Sequence, residues 1–444
     1  MASPSPLIEF HRSAGATLLA YGPQSQSADP TAGQAVPPID LVATYASLEL
    51  EYASLRKHCG LIDLPSRGLV EVTGPDRLDF LNRMVTQELR PGRKDLPPWS
   101  MARSFWLSRK GRIDADLRIC VLPDRVLLEV DALAAPRTAG ALSSFIIMED
   151  CAVRDISQDN HCLGLHGPTA PSLLAAVCAP LHGAPPVQSL APAGGVTRAL
   201  IDSRPVTVLR DDQAGVPGFL LITDLKDALV VAQALVRAGH DAAHEPTGSS
   251  KHFSLPVLTP DAPRNPARFR LAPIGWLSFN IARIEAGTPM FNIDFGVESL
   301  PAETGQLDSR VSFTKGCYLG QEVVARMHAR HQSKQQLVAV KFESTHAADD
   351  RPYPPLPEQG APLLAEGAAV GRITSSTLSP LLGMAPIAFA QVRSTHAAPG
   401  TVLTAPGDVP QNAQPSPHSE VAPPTIKGVV QASLAFTQAA VTPP

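Results

Sequence analysis

Short runs of strand-forming residues, interspersed with amphipathic helical segments, constrain the fold of this 444-residue chain more than any other feature. Residues 69–72 and 126–130 are rich in Val and Leu and predict β-strands. Residues 75–84 and 225–238 predict helices. The runs do not follow the regular strand–helix alternation of a parallel sheet, and no fixed-period repeat is visible. The sequence therefore predicts an α+β protein with antiparallel sheets.

Composition describes a chain that can bury a large core and has no strong global charge. A hydrophobic content of 44% in a chain of this length predicts several packed subdomains. The net charge of −4 gives no overall attraction to nucleic acid or to an anionic membrane. The six cysteines have no paired short spacings, which argues against zinc ribbons and against a disulfide scaffold. A reducing cytoplasm is the expected location.

Both ends and one internal segment have the composition of linkers. Residues 1–39 predict a flexible N-terminal segment, in which residues 1–20 lack the pattern of a targeting signal. Residues 243–266 are rich in Pro, Ser, Thr and His and predict a loop insertion. Residues 404–444 predict a disordered tail rich in Pro and Ala. No apolar run reaches 18 residues, so no membrane partner is expected.

The segment Lys315–Glu322 reads Lys-Gly-Cys-Tyr-Leu-Gly-Gln-Glu and precedes residues 322–330, which have the spacing of an amphipathic helix. Cys317 thus lies between two glycines, shortly before a helix N-terminus and close in sequence to Lys315. Both the helix end and the lysine favour an anion, and so favour a reactive thiolate. The alternative is that the glycines shape a turn and that Cys317 is a small buried filler.

The same segment resembles the Lys-Gly-Cys-Tyr-x-Gly-Gln-Glu signature of the YgfZ-type folate-binding proteins, which support iron–sulfur cluster maturation. Every specified position of that signature is present here. Those proteins are similar to the aminomethyltransferase of glycine cleavage, the T-protein, which typically has aspartate at the position of Cys317. The cysteine is therefore the residue that separates the two branches of the resemblance.

The resemblance extends over residues 52–393 and implies a fold. Residues 59–64 and 72–76 resemble the opening of the T-protein-like fold, and residues 110–117 resemble the segment that carries its catalytic aspartate, here Asp116. Residues 283–303 resemble the strip that leads into the cysteine motif in both branches. The implied architecture has three subdomains around a central folate pocket. Residues 40–335 form the folate-binding domain, and residues 336–403 form a small C-terminal β-barrel.

Two departures from the T-protein pattern concern its charged substrate-binding residues. The T-protein has a glutamate after a Gly-Phe pair, whereas Gly218-Phe219 is followed here by Leu220. The position of an arginine ahead of the 283–289 run is occupied by Phe279. The loss of a carboxylate and a guanidinium removes two charge-assisted contacts. A pocket for a flat heteroaromatic ligand is compatible with these losses, because apolar walls provide most of the contacts.

The resemblance implies a folate-binding protein that assists assembly or repair of iron–sulfur clusters in client enzymes, with tetrahydrofolate or a derivative as cofactor. Cys317 is then the redox-active or transiently ligating thiolate, and Lys315 stabilises its charge. A single thiolate requires further ligands from a partner or glutathione to hold a cluster, so client enzymes or assembly proteins are the expected partners. The resemblance also implies a set of folate-binding residues, namely Asp116, Arg283, Glu303, Tyr318 and Gln321.

Two other functions remain open from the sequence. The first is a folate-dependent aminomethyltransferase or demethylase, in which Asp116 handles a proton and Cys317 is incidental. The second is an RNA- or protein-binding module that uses the basic residues of segment 322–334. His328 and His331 have a spacing compatible with metal ligation, but no third ligand is evident, and no metal site is predicted.

Overall fold

The computed structural model describes residues 5–22, 38–45, 47–190, 194–239, 270–330, 333–344, 353–408 and 424–436. Within these ranges the α-helices are α1 (Ile8–Ser13), α2 (Leu48–Lys57), α3 (Arg77–Met84), α4 (Ala135–Ser143), α5 (Ala170–Val177), α6 (Ala228–Gly239), α7 (Trp276–Glu285), α8 (Leu307–Arg310) and α9 (Gln321–Arg330). None of these helices combines the length and the apolar character needed to cross a bilayer. The expected cytoplasmic location stays a prediction.

The β-strands follow the same chain order. They are β1 (Thr17–Tyr21), β2 (Ile39–Thr44), β3 (Cys59–Asp63), β4 (Arg67–Thr73), β5 (Ser100–Leu107), β6 (Ile113–Val121), β7 (Val126–Asp131), β8 (Ala152–Asp155), β9 (Asn160–His166), β10 (Cys178–Pro180), β11 (Val196–Ile201), β12 (Arg204–Arg210), β13 (Gly218–Asp224), β14 (Leu271–Pro273), β15 (Gln335–Phe342), β16 (Pro362–Ala365), β17 (Ala368–Ser379), β18 (Ala385–Arg393), β19 (Val402–Pro406) and β20 (Thr425–Val430). The predicted strands at 69–72 and 126–130 are confirmed within β4 and β7, and the predicted helices at 75–84 and 225–238 correspond to α3 and α6.

The strands assemble into two large sheets, a small two-stranded sheet and a barrel. One sheet has the order β5-β6-β7-β4-β8, and the other has the order β10-β11-β12-β13-β9-β3-β14. Strands β15-β18-β17-β16-β19-β20 close into a barrel, and β1 pairs with β2. The strand pairs whose register is described are antiparallel, except for the parallel pair of β14 and β3. The α+β prediction and the C-terminal barrel are confirmed.

Buried apolar side chains stabilise the seven-stranded sheet and the barrel. The seven-stranded sheet and helices α5 and α6 share a core in which Leu174, Leu221 and Leu235 are fully buried. In the barrel, Val340 of β15 and Leu403 of β19 are fully buried. Burial of one such side chain contributes about 1.5–3 kcal/mol. These cores fix the positions of the strands that carry the candidate site residues.

The chain divides into two compact units. The first comprises Met1–Trp106, Ala115–Phe279 and Thr314–Tyr318, and it contains the seven-stranded sheet and most of the five-stranded sheet. The second comprises Leu107–Asp114, Asn280–Phe313 and Leu319–Pro444, and it contains the barrel and helix α9. The cysteine motif thus contributes Lys315, Cys317 and Tyr318 to the first unit and Gln321 to the second.

The prediction of a flexible segment at residues 1–39 is wrong for its described part. Helix α1 and strand β1 form there, and β1 pairs with β2, which begins at Ile39. The buried Asp63 carboxylate accepts hydrogen bonds from Ser5 and from His11 Nε2, the latter at 2.7 Å. His161 Nε2 lies 2.5 Å from the other oxygen of Asp63, and Tyr45 Oη lies 2.9 Å from His11 Nδ1. These polar contacts tie the N-terminal segment to β3 and β9, and composition alone does not reveal them.

The prediction of a disordered tail at residues 404–444 is wrong for the two parts that the structure describes, residues 404–408 and 424–436. Strand β19 extends to Pro406, and β20 pairs with both β15 and β19 to close the barrel. The side chains of Ile426 and Val430 are buried, whereas those of Thr425 and Lys427 are exposed. This alternation is the period-two pattern of a half-buried strand. Residues 23–37 of the predicted flexible segment and the whole insertion at 243–266 lie outside the described residues.

Candidate functional site

Cys317 is the exposed thiol of this chain. All six cysteines lie in the described ranges, and the other five are buried or half-buried. Burial raises the pKa of Cys59, Cys120 and Cys162 far above the ordinary value, and it raises the pKa of Cys178 to about 12. A buried thiol with a raised pKa is inert, because the thiolate is the reactive species. The interpretation of Cys317 as a buried filler is therefore wrong.

Lys315 anchors the segment that carries Cys317. Its side chain is buried, and Nζ donates hydrogen bonds to the carbonyl oxygens of Asn82, Val85 and Gln87 at 2.5, 2.7 and 2.9 Å. Three donors are all that an ammonium group has. Lys315 Nζ also lies 5.2 Å from the centroid of the Tyr318 ring. The observed role of Lys315 is to hold residues 314–318 against residues 82–87, and its predicted role as a counter-charge for the thiolate stays a prediction.

The burial of Lys315 has a consequence for stability at alkaline pH. Burial lowers the pKa of Lys315 from 10.5 to about 8. Between these values the unfolded chain binds more protons than the folded chain, so the free energy of unfolding increases as the pH rises from about 8 towards 10.5. We expect this increase, at most ~3 kcal/mol, to disappear in Lys315→Met.

Urea unfolding of wild type and Lys315→Met at several pH values measures this difference. Lys341→Met is the control, because the Lys341 side chain is exposed on β15. The control should follow the wild-type pH dependence. A parallel dependence in wild type and Lys315→Met would show that the Lys315 ammonium does not release its proton in this range.

Helix α9 confirms the amphipathic helix predicted after the cysteine motif. It begins at Gln321, four residues after Cys317, and Gly320 precedes it with φ +79°. A Cβ atom at Gly320 would lie 2.7 Å from the carbonyl oxygen of Ser108, and one at Gly111 would lie 2.8 Å from Val323 Cβ. The two glycines therefore allow the 107–112 turn to approach the start of the helix, a distant contact that the sequence does not indicate.

Asp116 lies in strand β6 on the same side as Arg118. Ile113, Ala115 and Leu117 are buried on the other side, whereas Asp116 is half-buried. Arg118 pairs with Glu129 at 3.1 Å and with Asp211 at 3.2 Å, and the charge of Asp116 contributes to the raised pKa of Arg118 after the larger effects of Asp211 and Glu129. The carboxylate of Asp116 thus lies at the edge of a charged network.

The ion pair of Arg118 and Asp211 connects the two large sheets. Asp211 N donates to Gly218 O at 2.8 Å, immediately before the buried Phe219 and Leu220 of β13. The buried ring of Phe279 lies 5.1 Å from the ring of His166, measured between centroids. Leu220 and Phe279 therefore present apolar side chains in the interior, where the T-protein pattern has a glutamate and an arginine.

His166 is a buried polar residue that sequence reasoning missed. Neither of its ring nitrogens has a hydrogen-bond partner among the described residues. Burial lowers the pKa of His166, which keeps the ring neutral. The ring packs directly over glycines, since a Cβ atom at Gly218 would lie 2.3 Å from Nδ1 and one at Gly164 would lie 2.9 Å from Nε2. No local pattern in strand β9 distinguishes this histidine.

The surroundings of Arg283 do not fit its predicted role in folate binding. The side chains of Arg283 and Asp294 are both fully buried and form an ion pair at 2.6 Å. Arg283 Nε donates to Asn280, and Nη2 donates to Ser375 Oγ at 2.7 Å. All three guanidinium nitrogens are engaged, because Nη1 also donates to Thr288 O. Arg283 is thus a structural residue beside the barrel.

Glu303, Tyr318 and Gln321 have different surroundings. Glu303 is buried, and its Oε2 accepts a hydrogen bond from Leu300 N at 3.0 Å, while burial raises its pKa. Burial also raises the pKa of Tyr318 to about 12. Gln321 is half-buried at the first turn of α9. The observed contact of Glu303 caps a single helical turn, and the folate contacts of Tyr318 and Gln321 stay predictions.

The basic side of α9 carries an aromatic contact. The Phe313 ring stacks on the His328 ring, with 3.9 Å between centroids and 19° between planes, and Arg326 is exposed nearby in sequence. Across the described ranges no group of three or more His, Cys, Asp or Glu side chains is arranged to hold a metal ion. His331 lies outside those ranges. RNA binding by this helix stays a hypothesis.

Comparison with known proteins agrees with the fold and with the order of its two domains. The GCVT N-terminal domain matches residues 34–255, and the glycine cleavage T-protein C-terminal barrel domain matches residues 342–416. An aminomethyltransferase from Streptomyces coelicolor is 28% identical over 369 residues, which cover 82% of this chain and 86% of that protein. One from Streptomyces avermitilis is 28% identical over 402 residues, which cover 89% and 90%.

A solved structure gives the same result for the fold. The glycine cleavage system aminomethyltransferase T from Bartonella henselae superposes with a TM-score of 0.72 at 20% identity, and the match covers 98% of each chain. At this identity the likeness establishes the fold alone. The GCVT N-terminal domain match, however, spans half of the 444 residues. This chain belongs to the glycine cleavage T-protein (GCVT) family, with both its N-terminal domain and its C-terminal barrel domain.

Proposed function

We propose that this chain binds tetrahydrofolate or a derivative, and that Cys317 acts in the assembly or repair of iron–sulfur clusters in client enzymes. The observation that carries the proposal is the exposure of Cys317 on a segment anchored through Lys315, while the other five cysteines are buried or half-buried. A fixed and accessible thiol suits transient contact with a second macromolecule. The Lys-Gly-Cys-Tyr-x-Gly-Gln-Glu signature supports the same assignment.

The half-buried carboxylate of Asp116 fits a flat heteroaromatic ligand in its chemistry. A half-buried carboxylate can accept hydrogen bonds from ring N–H groups, and the first unit also supplies buried apolar side chains such as Leu220 and Phe279. Bound tetrahydrofolate supplies a one-carbon carrier. Asp116 would orient the ring by accepting a hydrogen bond from it.

The thiol step requires a partner. Cys317 loses its proton to solvent, and the thiolate sulfur donates an electron pair to an iron atom of a cluster in exchange for one existing thiolate ligand. One iron–sulfur bond forms and one breaks, and the departing thiolate takes up a proton from solvent. The other ligands come from the client protein, from an assembly protein or from glutathione, because one cysteine cannot hold a cluster. This shortage makes the proposed function dependent on partners.

A second candidate is folate-dependent aminomethyl transfer. It is favoured by the relatives named aminomethyltransferase, whose matches cover most of both chains, and by the half-buried carboxylate of Asp116. In this candidate Asp116 accepts or donates a proton at the folate, and Cys317 is incidental. Against it, buried Leu220 and Phe279 leave no carboxylate or guanidinium at the two positions where the T-protein pattern holds substrate groups.

Tetrahydrofolate binding and aminomethyl turnover distinguish the two candidates. We expect wild type to bind tetrahydrofolate and Asp116→Asn to bind it about tenfold more weakly, because a charge-assisted hydrogen bond is weakened. Asp308→Asn is the matched control, since Asp308 is exposed on α8. Fluorescence titration gives the affinities.

The turnover assay uses the same proteins together with Cys317→Ala. No turnover in any of them agrees with the maturation role. Turnover that is kept in Cys317→Ala and lost in Asp116→Asn would establish the second candidate instead. Absence of tetrahydrofolate binding by wild type would reject both candidates and leave only the shared fold.

A further inference from the structure

The first unit contains a polar cleft that none of the candidate site residues lines. It has a volume of about 360 Å³ and is lined by residues of both large sheets and of the loops at their edges. Its lining includes none of Cys317, Lys315, Asp116 or the other predicted site residues. Three arginines line it, and we call it the arginine cleft: Arg125 follows β6, Arg154 lies in β8 and Arg198 lies in β11.

The three arginines differ in their partners. Arg125 Nη1 pairs with Glu71 Oε1 at 2.6 Å, and its Nη2 pairs with Asp124 Oδ2 at 2.6 Å. Arg154 and Arg198 form no side-chain hydrogen bond or ion pair with any residue in the described ranges, although the charge of Arg198 makes a small contribution to the lowered pKa of Asp124. Two guanidinium groups are thus available for a ligand, and the third already has its counter-charges.

Each of the two large sheets contributes one of these two arginines to the cleft. In the five-stranded sheet, Arg154 is paired opposite Glu71, and in the seven-stranded sheet, Arg198 is paired opposite Thr207. Thr207 is buried and also lines the cleft. Between the two sheets the lining includes buried apolar side chains, namely Leu122, Leu127, Ile156 and Ile222. The cleft therefore combines two cationic donors and a hydroxyl group with an apolar floor.

We propose that the arginine cleft binds a small phosphate-bearing molecule. Guanidinium groups donate paired hydrogen bonds that match the oxygens of a phosphate, and two of them from different sheets contact a dianion from two sides. Glu71, Asp159 and Asp224 also line the cleft, so its cationic groups are interspersed with acidic ones. The cleft therefore lacks the continuous basic surface that a nucleic acid requires. The volume is near the lower end for ligand pockets and accommodates a phosphate with a short organic group on the apolar floor.

Calorimetric titration of the full chain with glycerol 3-phosphate tests the proposal. We expect binding by wild type, and a loss of affinity of about tenfold or more in each of Arg154→Gln and Arg198→Gln. Arg237→Gln is the matched control, because Arg237 is an exposed arginine of the same unit that pairs with Asp202 outside the cleft. The control should bind as wild type does.

Three results would overturn the proposal. They are no binding of glycerol 3-phosphate by wild type, equal affinity of wild type and both cleft variants, and tighter binding of succinate than of glycerol 3-phosphate. The last result would assign the cleft to a dicarboxylate. Circular dichroism checks that the variants are folded. We expect them to fold, because neither Arg154 nor Arg198 has a side-chain hydrogen-bond or ion-pair partner among the described residues.

Discussion

A Cys317→Ala variant is expected to lose the rescue of an iron–sulfur-enzyme defect completely, while it folds and binds tetrahydrofolate as wild type does. The side chain of Cys317 is exposed, so its truncation should change the free energy of unfolding by no more than about 0.5 kcal/mol. Loss of rescue would then report the loss of the thiol itself. The measurement is the activity of an iron–sulfur enzyme in cells that lack this protein and carry each variant.

Two further variants make this result specific. Cys151→Ala removes a half-buried thiol whose pKa is raised by burial, and we expect it to rescue as wild type does. Cys317→Ser keeps the size and polarity of the side chain but not the soft sulfur donor, and it should fail like Cys317→Ala. Full rescue by Cys317→Ala would remove the thiol from the proposed function. Joint loss of rescue and of folding would instead assign Cys317 a structural role.

Local sequence patterns predict the helix beside Cys317. The role of Lys315, in contrast, depends on contacts with residues distant in the sequence. The spacing of Val323, Val324 and Met327 predicts helix α9, because one apolar face recurs at helical intervals. The carbonyl oxygens that hold Lys315 come from residues more than two hundred positions away. A sequence pattern places a lysine beside a cysteine but does not show where its ammonium group points.

The same limit explains the two wrong predictions for the ends of the chain. Composition rich in Pro, Ser, Gln and Ala signals weak local order, but strand β20 is stabilised by pairing with β15 and β19. The alternation of Ile426, Gly428 and Val430 with exposed residues was the available signal. In the N-terminal segment, the bond between His11 and Asp63 spans 52 positions, and neither residue indicates the other.

The ion pair between Arg283 and Asp294 is expected to be the most sensitive point of the second unit. Asp294→Asn should lower the free energy of unfolding by roughly 3–5 kcal/mol, because it leaves a fully buried guanidinium without its counter-charge. Asp294 also accepts hydrogen bonds from Met290 N at 2.9 Å and from Thr374 Oγ1 at 3.0 Å. Urea unfolding gives the change in free energy. Arg393→Met, at an exposed position of β18, is the control and should change it little.

The pattern of losses separates a structural role for Arg283 from the predicted role in folate binding. If the pair is structural, Arg283→Met and Asp294→Asn lose stability by similar amounts. The double variant Arg283→Met/Asp294→Leu then loses less than the sum, because no unpaired charge remains buried. If Arg283 held the folate, Arg283→Met would weaken tetrahydrofolate binding under conditions where the variant is folded, and Asp294→Asn would not. The engagement of Nε, Nη1 and Nη2 by protein acceptors favours the first outcome, since a ligand would have to displace one of these bonds.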